Sequence, residues 1–159
     1  MADAAPDEVV LGADTLVVAD GATLGKPSTA TEARAMLEQL RGRPHTVITG
    51  VALRANAGRE WGAAVSTLVH MRGYADTEVE RYVERGEPFD KAGGYAVQDA
   101  EFRPVERLEG CYLNVVGLPL CAVARGLEAL GKRVQGPREC VPPCDYCRAG
   151  SAYYRFSPW

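Results

Sequence analysis

Histidine is scarce in this chain, at 2 of 159 residues. Neither His45 nor His70 has another histidine at metal-ligand spacing, which argues against a His-based zinc site. A glycine-rich Walker loop and a Gly-x-Ser-x-Gly elbow are also missing, so nothing supports hydrolysis by a serine nucleophile. No apolar run nears the ~20 residues that span a bilayer, and no membrane partner is expected. The first eight residues, Met1 to Glu8, are acidic and lack the basic and apolar regions of a signal peptide. Net positive charge is absent as well. A formal net charge of -3 gives no general attraction to nucleic acid, so any anion site must be local.

What is present is ordinary for a folded domain: 47% hydrophobic and 25% charged residues, in a chain long enough for one core. Among five cysteines, Cys111 and Cys121 lie in apolar contexts and read as reduced core residues, the pattern of a cytoplasmic protein. The run Val9–Ala13 reads as a buried strand ending at Asp14-Thr15, and Leu16–Ala19 continues it to a hairpin turn at Asp20-Gly21. Thr29 and Glu32 form a capping-box pair ahead of Ala33, Met36, Leu37 and Leu40, which recur at helical spacing until Gly42. His45–Arg54 alternates as a strand with Val47, Thr49, Val51 and Leu53 on one face, and Val65–Met71 reads as its antiparallel neighbour. Thr77 and Glu80 are expected to cap a helix that Gly86 ends. Short strands follow near Tyr95–Gln98 and through Val105–Leu108. A last helix opens at Leu118-Pro119, with Leu120, Val123, Ala124, Leu127 and Leu130 as its apolar stripe. The alternation predicts a mixed α/β sheet covered by helices.

Several polar residues stand where chemistry is possible. Asp14, at the end of its strand, either caps the turn or faces a ligand crevice, where it would hold a divalent cation or accept a proton from water. Lys26 in Gly25-Lys26-Pro27 is held extended by the following proline, and is either a solvated hairpin lysine or an anion contact. Asp90 and Lys91 precede the double glycine Gly93-Gly94, where the backbone can adopt positive φ or approach a ligand closely. Lys91 there suits a phosphate and Asp90 suits orienting that lysine or a metal; an ordinary loop ion pair is the alternative. His45 reads as a strand-edge or hydrogen-bonded histidine.

Taken in order, Ala13-Asp14-Thr15, Gly25-Lys26-Pro27, His45 to Val51, Asp90 to Gln98 and Asn114 to Pro119 resemble the Maf family over about Val9–Gly131. The resemblance implies an inosine-triphosphatase-like fold and a nucleoside triphosphate pyrophosphatase with house-cleaning activity. It implies Asp14 as the catalytic acid-base residue and metal ligand, and Lys26 at the triphosphate. Thr15 and Gln98 would contribute to base selection, as in the branch acting on dTTP and UTP. Asp90 and Lys91 belong to the same wall of the substrate site. A divalent metal cation, Mg²⁺ or Mn²⁺, and a homodimer are implied as cofactor and assembly. The alternative is a non-enzymatic relative that acts as a nucleotide-binding or regulatory partner.

The family pattern also has a Ser-x-Ser-Pro-Arg-Arg phosphate loop ahead of the first strand. Here eight residues precede Val9 and the first arginine is Arg34, so the domain, residues 1–131, reads as N-terminally truncated. Residues 132–159 are rich in Gly, Pro and Cys and read as a poorly ordered tail. Cys140, Cys144 and Cys147 have spacing suited to an iron–sulfur cluster or to zinc with a fourth ligand, but only twelve residues follow them.

Overall fold

A computed structural model describes residues 8–55 and 58–134; Cys140, Cys144 and Cys147, and with them the expected cluster, lie outside the described residues. The chain forms one five-stranded sheet with helices, in the strand order β2-β1-β3-β4-β5. Its strands are β1 Val9–Ala19, β2 Ala22–Leu24, β3 Pro44–Ala55, β4 Glu60–Met71 and β5 Val105–Glu109, and its helices α1 Ala30–Leu40, α2 Asp76–Glu84, α3 Tyr112–Val116 and α4 Leu120–Ala129. The α/β architecture is the expected one. No helix among the described residues is long and apolar enough to cross a membrane.

The chain divides into two compact units, one of Met1–Thr15, Ile48–Ser66 and Gly110–Trp159, the other of Leu16–Val47 and Thr67–Glu109. Strands β1, β3 and β4 each have residues in both units.

In the second unit the Asp20-Gly21 turn closes the β1–β2 hairpin, with Val17 opposite Leu24 and Ala19 opposite Ala22. Both turn residues have positive φ, 50° and 78°, as the tight hairpin turn requires. Thr29 caps α1 by accepting the Glu32 N–H at 3.1 Å, while the Glu32 carboxylate reaches past it to the Ser28 N–H at 2.7 Å. Ala33, Leu37 and Leu40 form the buried stripe of α1. Helix α2 begins earlier than the Thr77–Glu80 pair suggests. Its N-cap is Ala75, whose N–H donates to the Glu78 carboxylate at 2.8 Å, and Glu80 instead holds Arg34 at 2.6 Å. The ion pair takes the carboxylate away from the cap. Tyr82 stacks on Phe102 at 4.5 Å between ring centres, and the Tyr74 hydroxyl donates to the Leu37 carbonyl at 2.6 Å. The expected strand at Tyr95–Gln98 is absent. Those residues are coil and turn after two 3-10 turns, Glu87–Asp90 and Ala92–Gly94, because Gly93 and Gly94 both take positive φ and break the extended run.

In the first unit Leu53, Ala55 and Leu130 pack with Val9, Trp61 and Leu127, and Val65, Cys111 and Ala122 pack with Trp61, Leu113 and Cys121. Neither Cys111 nor Cys121 is in a disulfide. Of the expected stripe, Leu127 and Leu130 pack inward while Leu120 is half exposed, and the buried positions within α4 are Ala122 and Gly126. The reason is Trp61. A Cβ on Gly126 would lie 2.4 Å from both the Leu53 Cδ1 and the Trp61 ring, so only a glycine lets the helix approach the indole. Gly126→Ala is therefore expected to destabilise the chain by about 1–3 kcal/mol from overpacking, offset by up to ~1 kcal/mol of helix propensity. A urea midpoint that falls with an unchanged slope checks this.

Candidate functional site

Of the candidate residues, Asp14 and Thr15 lie in the first unit. Asp14 is exposed in the middle of β1 and Thr15 beside it is half-buried. The strand runs through Asp14 and Thr15 and on to Ala19, the continuation expected of Leu16–Ala19, so Asp14 lies within it and not at its end. The Thr15 N–H donates to the Asp14 carboxylate at 2.9 Å, so the backbone amide is satisfied locally and the chain stays extended through it. That bond engages Oδ1 and leaves Oδ2 for a water, a proton or a cation. The strand is also less buried than its apolar run implies, since Leu11 and Leu16 are 42% and 45% exposed.

Behind Thr15 stands a polar chain that sequence reading did not assign to the site. The Thr15 hydroxyl lies 2.8 Å from the hydroxyl of Thr49 on β3. Thr49 is fully buried and doubly bound to Asn114 on α3: its N–H donates to Asn114 Oδ1 at 3.1 Å and its hydroxyl to the Asn114 carbonyl at 3.0 Å. The signal for it was present. Asn114 is an amide inside the apolar run Tyr112–Val116, and a buried amide requires fixed partners.

Lys26, Asp90, Lys91 and Gln98 lie in the second unit. Lys26 is exposed, between Gly25 and the buried Pro27. The Gly93 N–H donates to the Gly25 carbonyl at 2.9 Å, which ties the double-glycine segment to the Gly25-Lys26-Pro27 strand exit. A Cβ on Gly93 would meet Val17 at 3.1 Å. The close approach expected of the double glycine is thus made to the protein's own β1. Lys91 donates to Asp90 Oδ1 at 2.6 Å and to the Glu87 carbonyl at 2.7 Å, with the Glu87 carboxylate at 3.5 Å. The Lys91 hydrogen bond holds the Asp90 carboxyl below its ordinary pKa, and the charge of Lys26 adds a smaller share. Lys26, Asp90 and Lys91 therefore act on one another. Gln98 is exposed in the turn that follows Ala96.

Two buried contacts fix the segment between Lys91 and Gln98. The Tyr95 hydroxyl lies 2.7 Å from His45 Nε2, with the rings edge-on. The Ala96 N–H donates to the Tyr82 hydroxyl at 3.0 Å. His45 is buried and hydrogen-bonded, one of its two expected states; burial, with a contribution from His70, lowers its pKa from 6.5 to about 4. Its Nδ1 has no hydrogen-bond partner among the described residues.

The family model for Maf-like proteins matches residues 1–130. The chain belongs to the Maf family. Among curated Maf relatives, the chain is 52% identical to a dTTP/UTP pyrophosphatase of Thermomicrobium roseum over 144 residues, 89% of the chain and 66% of that protein. It is 44% identical to a dTTP/UTP pyrophosphatase of Dehalococcoides mccartyi strain CBDB1 over 143 residues, 88% of the chain and 64% of the relative. A third protein of that name, from Pelotomaculum thermopropionicum, is 47% identical over 129 residues, 80% of the chain and 68% of the relative. The chain spans just under two thirds of the length of the first two Maf relatives.

Proposed function

We propose that this chain is a nucleoside triphosphate pyrophosphatase acting on dTTP and UTP, with release of the monophosphate and pyrophosphate. The observation that supports it most is the pinned carboxylate of Asp14 in a chain 52% identical to a dTTP/UTP pyrophosphatase. With Oδ1 held by the Thr15 amide, Oδ2 accepts a proton from the water that attacks the α-phosphorus. Lys26 and Lys91 offset charge on the pyrophosphate leaving group, Lys91 by exchanging its Asp90 contact for a phosphate oxygen. Thr15 and Gln98 contact the base. Gln98 suits a pyrimidine edge because its amide both donates and accepts.

A divalent cation fits the donor set in one specific way. No group of three or more His, Cys, Asp or Glu gathers among the described residues, whereas Mg²⁺ in phosphoryl chemistry is commonly held by one or two carboxylates plus substrate phosphates. Asp14 would supply one such carboxylate. Bound there, Mg²⁺ or Mn²⁺ would offset phosphate charge and acidify water.

The test is pyrophosphate release from dTTP and UTP by the full chain in the presence of Mg²⁺. Absence of release from a chain that melts cooperatively would sink the proposal. Nucleotide binding without release would favour a regulatory role. Within that assay, Lys26→Met is expected to lower kcat/KM roughly 10- to 100-fold, the worth of one charge-assisted contact. Its melting temperature should stay at the wild-type value, because Lys26 is exposed.

A further inference from the structure

The turn that carries Gln98 is gripped at both ends. Val97 and Gln98 are its central residues, and the Asp99 N–H closes it on the Ala96 carbonyl at 3.2 Å. Gln98 itself is exposed. Both flanks are held from α2, where Tyr82 and the C-cap Arg85 stand three residues apart and so on one side of the helix. Before the turn, the Ala96 N–H donates to the Tyr82 hydroxyl at 3.0 Å. After it, the Asp99 side chain is only 6% exposed. Its carboxylate accepts from Arg85 at 2.5 and 3.4 Å, and from the N–H groups of Glu101 and Phe102 at 3.1 and 2.6 Å. The ring then closes, because Phe102 stacks on Tyr82 and the Arg85 guanidinium lies 5.6 Å from the centre of the same ring.

A carboxylate at this depth costs desolvation that an apolar side chain would not. What Asp99 supplies in return is a fixed turn under an exposed amide. On the dTTP/UTP activity proposed above, on which this inference rests, we propose that Tyr82, Arg85 and Asp99 are positioning residues that hold the Gln98 turn where its amide meets the pyrimidine. Ordering a loop on binding lowers affinity, and a turn already fixed leaves only the Gln98 side chain to be ordered. The lysine end of the segment has its own supports: Lys91 rests on the Glu87 carbonyl and Gly93 on Gly25. Arg85 also meets Glu101 at 3.0 Å and Glu87 at 4.0 Å. Asp99 is therefore the member of the clamp whose loss bears on the turn most directly.

The two products test this without turnover, since UMP carries the base and pyrophosphate only phosphates. Their dissociation constants are measured by calorimetry on the full chain with Mg²⁺ present. Asp99→Asn keeps one oxygen for the Glu101 and Phe102 N–H groups but turns an NH₂ toward Arg85, so the grip of Arg85 is lost. It should weaken UMP roughly three- to tenfold, the range of one neutral hydrogen bond, and leave pyrophosphate unchanged. Gln98→Ala should show the same pattern. The double variant should bind UMP no more weakly than Gln98→Ala alone, because positioning has no effect once the amide is gone. Losses that add, or pyrophosphate weakened in step with UMP, would mean that the clamp acts on the fold at large and overturn the inference. Should Asp99→Asn fail to fold, Tyr82→Phe keeps the stack on Phe102, frees the Ala96 N–H and must give the same non-additive loss. UMP affinity unmoved by Gln98→Ala also overturns it. The pyrophosphatase proposal is then judged separately, on pyrophosphate release from UTP.

Discussion

Asp14→Asn is expected to lower kcat for pyrophosphate release roughly 10²- to 10⁴-fold, the usual contribution of a positioned general base. The substitution is close to isosteric, and the asparagine Oδ1 can still accept the Thr15 N–H that the carboxylate accepts at 2.9 Å. Asp14 is exposed in the strand, so no buried charge is lost and stability should change by no more than about 0.5 kcal/mol. The loss should appear in kcat with KM little altered, because what disappears is an interaction made as the proton moves. Asp14→Glu separates geometry from chemistry. It retains a carboxylate but displaces it by about one methylene, and near-attack geometry is sensitive at the scale of ~1 Å. Activity of Asp14→Asn within a few-fold of wild type, in a chain with unchanged melting, would remove Asp14 from the chemistry.

The parts of this molecule that could be read from sequence are those decided by near neighbours. Asp20-Gly21 closes its hairpin through backbone φ alone, Thr29 caps α1 through a bond three residues long, and the alternation of β3 follows from the pleat. Asp14, Lys26 and Lys91 stand out as candidates because their neighbours, Thr15, Pro27 and Gly93, mark the local backbone. What escaped depends on distant partners. Thr49 meets Asn114 across 65 residues, and His45, expected to be hydrogen-bonded or at a strand edge, finds its partner Tyr95 across 50. Leu120 looked like the inward edge of α4, but the bulk of Trp61 hands that position to Gly126. Glu80 looked like a cap until Arg34 on another helix took its carboxylate. In each case a tertiary contact overrode a local pattern that was sound in itself.

The His45–Tyr95 contact carries the second large effect, on stability against pH. In the folded chain burial lowers the His45 pKa to about 4, while an unfolded histidine titrates near 6.5. Between these values the unfolded state takes up a proton that the folded state refuses. Stability is therefore full above pH 6.5 and falls as pH drops, by about 1.4 kcal/mol per unit, reaching about 3 kcal/mol near pH 4. The cost is desolvation of the imidazolium rather than loss of the bond, since the Tyr95 oxygen at 2.7 Å accepts from a protonated ring as readily. Carboxylates do not confuse the window. Glu78, drawn down to about 2 chiefly by its hydrogen bond from Arg72, and Glu80, drawn down chiefly by Arg34, lose their contribution only as pH falls below the ordinary carboxylate value of 4.5. His45→Gln keeps a polar group for Tyr95 and cannot titrate. Urea unfolding at several pH values from 7.5 to 4.7 should show wild type losing about 2 kcal/mol while the variant stays nearly level. Parallel curves for the two proteins would mean that His45 is not held neutral in the fold.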